Sequence, residues 1–111
     1  IAGNSSDVDT TQAGSADSNI TGTLTGNSNE VTITQSGDKK NLTATVTGAS
    51  NDIDVTQSGK EHTIAMTYTG SNMNIDIDQT DTVSSNVANL LLQSSGGAGS
   101  SINIDQCASG C

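Results

Sequence analysis

The chain repeats a short pattern of residues at intervals of 22, and this period constrains its fold more than any other feature. Residues 29–37 read N-EVTIT-Q-S-G and residues 51–59 read N-DIDVT-Q-S-G. Related segments occur at 8–14, 73–79 and 102–106. A period of this length is typical of proteins built from stacked repeats. One column of glutamines results, with successive spacings of 23, 22, 22 and 27 residues: Gln12, Gln35, Gln57, Gln79 and Gln106.

A second kind of segment lies between each pair of glutamine segments. It reads ITGTLTG at 20–26, LTATVTG at 42–48 and IAMTYTG at 64–70, and a fourth copy is expected in ANLLLQS at 88–94 after a short insertion. Both kinds alternate apolar and polar residues, as a strand with one buried face does. Gly, Ser, Asn and Asp fill the connections, which are the residues that turns favour. The sequence therefore predicts five glutamine strands alternating with four threonine strands.

Two strands per repeat, with the same residue types at each repeat, predict an all-β fold. We expect a two-sheet parallel β-solenoid with cross-β stacking, about 22 residues per coil and roughly 4.5 coils. The glutamine side chains are predicted to stack into a structural ladder along the axis. The predicted apolar core consists of inward-facing residues from both kinds of strand: Val31, Ile33, Leu42, Val46, Ile53, Val55, Ile64, Met66, Ile75, Ile77, Ile102 and Ile104.

The repeats predict a single β-solenoid domain that covers residues 1–111. It would comprise an N-terminal segment at 1–6, the repeats at 7–106 with a Gly/Ser loop at 94–101, and a cysteine-containing tail at 107–111. With five glutamine strands and four threonine strands, one threonine-side position is empty. Either residues 1–4 or residues 93–101 would fill it, and the sequence does not decide between them.

Composition excludes several classes of protein. Hydrophobic residues make up 31% of the chain and the formal net charge is −9, values that usually indicate disorder. Proline is absent, however, and the regular alternation favours an ordered chain with a narrow interior. Only three Lys or Arg residues argue against a nucleic-acid partner, and no segment approaches the ~20 apolar residues that membrane insertion requires. The chain starts with Ile1 instead of Met, so we expect that a leader was removed or that the sequence is part of a longer product.

The unit N-x5-Q-x-G, followed by a second strand, resembles the curlin repeat of bacterial curli fibres over about residues 7–106. The glutamine and glycine positions match in three repeats and match partly at Gln79 and Gln106. The chain departs from the curlin pattern in the second strand, where a threonine replaces the usual glutamine: Thr25, Thr47 and Thr69. The resemblance implies a curli-like functional amyloid, namely a secreted subunit of an extracellular or cell-surface fibre for biofilm matrix or adhesion. It also implies that the partners are further copies of the chain and a nucleator or secretion factor, and that the protein is not an enzyme.

The strand ends favour the same function. A coil of strands exposes unpaired backbone groups at each end, which template further pairing unless they are covered. We expect no cap at either end of this chain, and matching open ends predict head-to-tail stacking into a filament.

Two other functions compete with a fibre. The outward threonines form a grid that is three rows tall, and a regular T-x-T lattice resembles the surface of ice-binding proteins: Thr21, Thr23, Thr25, Thr43, Thr45, Thr47, Thr67 and Thr69. The simpler interpretation, which we favour, is that threonine suits a solvent-facing strand. The alternatives are therefore a monomeric ice-binding (antifreeze) solenoid, or a rigid solenoid segment of a viral or surface adhesin.

No catalytic or cofactor site is expected. Stacked aspartates on the glutamine sheet offer oxygen ligands to calcium, but a solvated acidic face is the favoured interpretation. The single histidine, His62, is predicted to be a surface turn residue with no catalytic or ligand role. Cys107 and Cys111 are predicted to form a local disulfide, which we favour over a bond between subunits.

Overall fold

The computed structural model describes residues 1–14, 16–81, 89–96 and 98–108, and the regular structure in these ranges is β-strand. The prediction of an all-β protein is therefore confirmed. The strands are β1 Asp7–Gln12, β2 Ser18–Thr25, β3 Glu30–Asp38, β4 Lys40–Thr47, β5 Asp52–Lys60, β6 Thr63–Gly70, β7 Asn74–Asp81, β8 Asn89–Gly96 and β9 Ser101–Ala108.

The strands form two parallel sheets, with odd and even strands separated. The glutamine strands form one sheet in the order β1-β3-β5-β7-β9, and the threonine strands form the other in the order β2-β4-β6-β8. Each strand thus pairs with the next strand of its own kind, and the chain crosses from one sheet to the other between pairings. The chain is a parallel β-solenoid, as the repeat predicts.

The pairing register reproduces the period of the sequence. Glu30 pairs with Asp52 and Asp52 pairs with Asn74, each at an offset of 22 residues. About three turns of the solenoid keep this offset. The same register aligns the glutamines of all five odd strands, because the insertion before β8 is absorbed before β9 pairs with β7.

The core lies between the sheets and is formed by alternate residues of β2 to β7. The buried apolar residues are Leu24, Ile33, Leu42, Ala44, Val46, Ile53, Val55, Ile64, Met66, Tyr68, Met73, Ile75 and Ile77. Alternation of buried and exposed residues is complete in β4 and nearly so in β5. A strict period of two places every second side chain on the same face, so one register error would expose the whole apolar set.

Two residues predicted to belong to the core are exposed. Ile102 and Ile104 occupy the inward register positions of β9, yet 39% and 40% of their surface is accessible. The reason is the position of β9 at the end of its sheet: among the described residues, no strand pairs with its outer edge. The repeat pattern predicted the register of these side chains correctly, but their burial requires a further rung.

The connection from the threonine sheet back to the glutamine sheet is a tight turn with a recurring conformation. Ser28, Ser50 and Asn72 each have a positive φ, between 53° and 58°. The glycine that opens the turn packs directly on the glycine of the preceding rung. A Cβ atom built on Gly48 would lie 1.8 Å from the carbonyl oxygen of Gly26. Only glycine fits this position, because a side chain would overlap the backbone of the rung beneath it.

Two of the expected segment boundaries differ in the structure. Residues 94–96 belong to β8 and residue 101 to β9, so the Gly/Ser loop is shorter than the predicted 94–101. The N-terminal segment is not separate from the sheets, since Ala2 forms a parallel bridge with Thr25. Residues 1–3 therefore occupy the fifth threonine-side position, beside β2, which the sequence left open between two segments.

Candidate functional site

The five glutamines form a hydrogen-bonded ladder along the solenoid axis. Gln35 and Gln57 are completely buried and Gln79 is nearly so. In each step, Nε2 of one glutamine donates to Oε1 of the glutamine in the preceding rung, over 2.5 to 3.2 Å. Buried amides require partners, and here each interior rung both donates to one neighbour and accepts from the other.

All four steps of the ladder run in the same direction, which makes its two ends chemically different. At one end, Nε2 of Gln12 makes only a long 3.4 Å contact with the carbonyl oxygen of Asn19. At the other end, no described residue donates to Oε1 of Gln106. The ladder thus presents a donor at β1 and an acceptor at β9.

A shorter asparagine ladder lies at the other end of the same strands. Asn29 and Asn51 are each 1% exposed, and the Nδ2 of Asn29 donates to Oδ1 of Asn51 over 3.1 Å. Met73 takes the next position in the column and cannot accept a hydrogen bond strongly, so Nδ2 of Asn51 is left without a partner among the described residues. The sequence signal was present, because an asparagine opens both complete repeats, but its inward direction was not inferred.

A lysine and a histidine are buried at the start of the threonine strands. The Lys40 side chain is fully buried, and its Nζ donates to the carbonyl oxygen of Ala16 over 2.7 Å and to Oγ of Ser18 over 3.1 Å. His62 is only 2% exposed, so the prediction that it is a surface turn residue is wrong. Ser18, Lys40 and His62 recur at intervals of 22 residues, and that column faces the interior.

The threonine face is a regular array of exposed side chains. Thr23, Thr45 and Thr67 form one column in register, and Thr25, Thr47 and Thr69 form a second. A third column consists of Thr21 and Thr43 and ends at Ala65, which is half-buried. The eight threonines named from the sequence are therefore brought together on one surface, and all of them are exposed.

The opposite face carries stacked carboxylates. Asp54 and Asp76 are in register on adjacent strands, and Asn103 follows them and donates to Asp76 over 3.1 Å. Partial burial raises the pKa of Asp54 above its ordinary value, and the negative charges of Asp52 and Asp76 raise it further. Like charges on adjacent strands repel one another at the short spacing of a sheet. Among the described residues, no three His, Cys, Asp or Glu side chains are grouped so as to hold a metal ion.

The two cysteines are only partly described. Cys107 lies in β9 and is disulfide-bonded. Cys111, its predicted partner, lies outside the described residues. Within the described part of the chain, no helix has the length and apolar character needed to cross a membrane.

The interior opens into an apolar cavity at the β1 and β2 end. Its volume is about 320 Å³, and its walls include Ile1, Val8, Ile20 and Leu24. The cavity exists because Gly22 and Ala44 occupy the inward column that Met66 fills in the following rung. The solenoid thus has an apolar opening at one end and two exposed isoleucines at the other.

Comparison with known proteins gives one match. Residues 48–80 match the family model of the curlin associated repeat, a stretch that contains β5, β6 and β7 up to Thr80. No curated protein and no solved structure matches the chain. The matched stretch includes the two best-buried steps of the glutamine ladder, so the family pattern coincides with the most regular part of the fold.

Proposed function

We propose that this chain, a curlin-repeat protein by the match of residues 48–80, is a structural subunit of an extracellular curli-like fibre. The fibre would form by head-to-tail stacking of units of roughly 4.5 coils into a functional amyloid. The partners would be further copies of the chain, together with a nucleator or secretion factor, and the fibre would serve biofilm matrix or adhesion. The proposal includes no enzymatic activity and no cofactor.

The observation that carries this proposal is the identity of the contacts from rung to rung. Each internal rung binds its neighbour through a parallel backbone ladder, a glutamine amide and a column of apolar side chains. The first and last described rungs offer the same three kinds of group at their outer edges. Unpaired strand edges of this kind template the addition of another strand, and an edge that meets its complement on another copy yields an open filament.

Electron microscopy and fibre diffraction of the purified protein test the proposal. We expect long unbranched filaments that give a meridional reflection at about 4.8 Å and an equatorial one at about 10 Å. The filaments should bind amyloid dyes with a lag that is removed by preformed seeds. Protein that remains monomeric at high concentration, after seeding and for days, would contradict the proposed function.

The threonine array supports a second candidate, an ice-binding surface on a monomer. Its support is the register of the exposed columns at Thr23 and Thr25, which repeats at the spacing of the strands. Thermal hysteresis of freshly purified monomer measures this activity. Replacement of the central Thr45 by tyrosine should abolish any hysteresis, whereas Asp9→Asn on the opposite face should not. Absence of hysteresis in the unmodified protein removes this candidate.

A further inference from the structure

We infer that the fibre joint is a register-specific, one-way contact in which β9 of one copy pairs in parallel with β1 of the next copy. This inference rests on the proposed fibre and specifies the surface that joins its subunits. In this joint, Gln12 of the next copy donates to Gln106, and Gly3 of the next copy lies over Gly96. The partner is a second copy of this chain, bound always by its opposite end.

The direction of the glutamine ladder is the first argument. Every step donates towards β1, so an added copy continues the ladder only if its Gln12 amide meets the free Oε1 of Gln106. A contact between two β9 edges would oppose two acceptors, and a contact between two β1 edges would oppose two donors. Each leaves an amide group unpaired in a closing interface, which costs about 1–3 kcal/mol per group.

The apolar columns are the second argument. Ile102 continues the column of Val8, and Ile104 continues the column of Thr10. The exposed isoleucines at one end therefore meet the apolar opening of about 320 Å³ at the other end when the register of the interior is kept. A slip by one residue would place outward polar residues over Ile102 and Ile104.

The glycine column is the third argument, and it supplies the sharpest test. A Cβ atom built on Gly26, Gly48 or Gly70 would lie 1.6 to 1.8 Å from the carbonyl oxygen of the glycine one rung earlier. In a single copy, a Cβ atom on Gly3 meets only Oγ of Ser6, at 3.2 Å. Continuation of the same register would place Gly96 of the preceding copy beneath Gly3, where a methyl group has no room.

Gly3→Ala is therefore expected to impair the joint more than the fold. We predict that this variant elongates wild-type seeds at least about tenfold more slowly, while its circular dichroism and denaturation midpoint stay close to those of the wild type. Gly22→Ala is the matched control, because no atom lies within 4 Å of its added Cβ and the corresponding residue in the next rung is Ala44. It should elongate within about twofold of the wild type. Equal elongation by Gly3→Ala and Gly22→Ala would overturn the proposed register.

Cysteine cross-linking tests the pairing directly. Thr11 and Asp105 lie in one outward column, four rungs apart or about 19 Å, so they cannot form a bond within a copy. In the joint they become register neighbours at about 5 Å, within reach of a disulfide. The variant carries Thr11→Cys and Asp105→Cys in a background of Cys107→Ser and Cys111→Ser. Oxidised filaments should give a ladder of covalent multimers whose linked peptides join positions 11 and 105.

Two matched variants distinguish the alternatives. The pair Thr11→Cys with Asn103→Cys is displaced by two residues and should cross-link much less. Thr11→Cys alone should give no covalent dimer, and an 11–11 link would show a two-fold joint and overturn the inference. Filaments without the 11–105 link would also overturn the joint but leave the fibre intact, whereas absence of filaments in the unmodified protein would count against the proposed function itself.

Discussion

At the scale of single residues, the buried amides define which positions tolerate change. Gln57 donates to Gln35 and accepts from Gln79, and its side chain is completely buried. Gln12, in contrast, has one ladder neighbour and a partly exposed side chain. Because a ladder amide has two neighbours only in the interior, identical substitutions should have different costs at these two rungs.

We predict that Gln57→Leu lowers the free energy of unfolding of the monomer by about 2–5 kcal/mol. The change leaves an acceptor on Gln35 and a donor on Gln79 buried without partners, at about 1–3 kcal/mol each. Gln12→Leu removes a single step and should cost about 1 kcal/mol. Urea denaturation at low protein concentration measures both values, and equal costs at the two positions would show that the ladder contributes little.

The buried lysine also illustrates what sequence reasoning missed and why. The repeat placed residues 18, 40 and 62 in one column, but the turn composition around His62 indicated exposure. The side chain of Lys40 is buried because the carbonyl oxygen of Ala16 and the hydroxyl of Ser18 in the preceding rung accept its protons. Lysine is almost never buried unless it is paired, and a partner 24 residues away in a connection cannot be read from periodicity.

At the scale of strands and turns, most of the fold was predictable from the sequence. The two kinds of strand, their parallel pairing and their register follow from a period of 22 combined with alternation of two. The role of residues 1–3 did not follow, because three residues carry too little pattern to assign to a sheet. The exposure of Ile104 did not follow either, since burial depends on the next rung and not on the strand itself.

The turns between sheets should be less tolerant than the strands. We predict that Gly48→Ala lowers the free energy of unfolding by more than about 2 kcal/mol, because its φ of 138° disfavours a side chain and its Cβ would overlap Gly26. Gly22→Ala, which adds the same methyl group in open space, should change stability by less than about 1 kcal/mol. Thermal or urea unfolding of the two variants side by side checks this, and a tolerant Gly48 would mean that adjacent turns can separate without loss.

At the scale of the whole molecule, charge opposes the packing that the ladders favour. The chain carries a formal net charge of −9, and part of it is stacked in register on the glutamine sheet. Exposed charges of one sign keep filaments apart in solution but repel one another along the axis. Repulsion between surface charges is screened by salt, so both stability and elongation should increase with ionic strength.

The acidic face gives the molecule a defined pH dependence. The pKa of Asp54 is raised in the folded chain by partial burial and by Asp52 and Asp76, so the native state binds its proton more readily than the unfolded state does. The free energy of unfolding should therefore rise as the pH falls from 7 through the raised pKa of Asp54, and the gain should be complete below the unfolded value of about 4. Asp54→Asn should stabilise the protein at pH 7 by less than about 1 kcal/mol and flatten this part of the profile. Asp9→Asn is the control, because its register neighbour is Thr32 instead of a carboxylate. Urea unfolding at pH 7 and pH 4.5 measures the difference, and a wild-type protein that loses stability on acidification over this range would show that the stacked carboxylates do not govern its pH response.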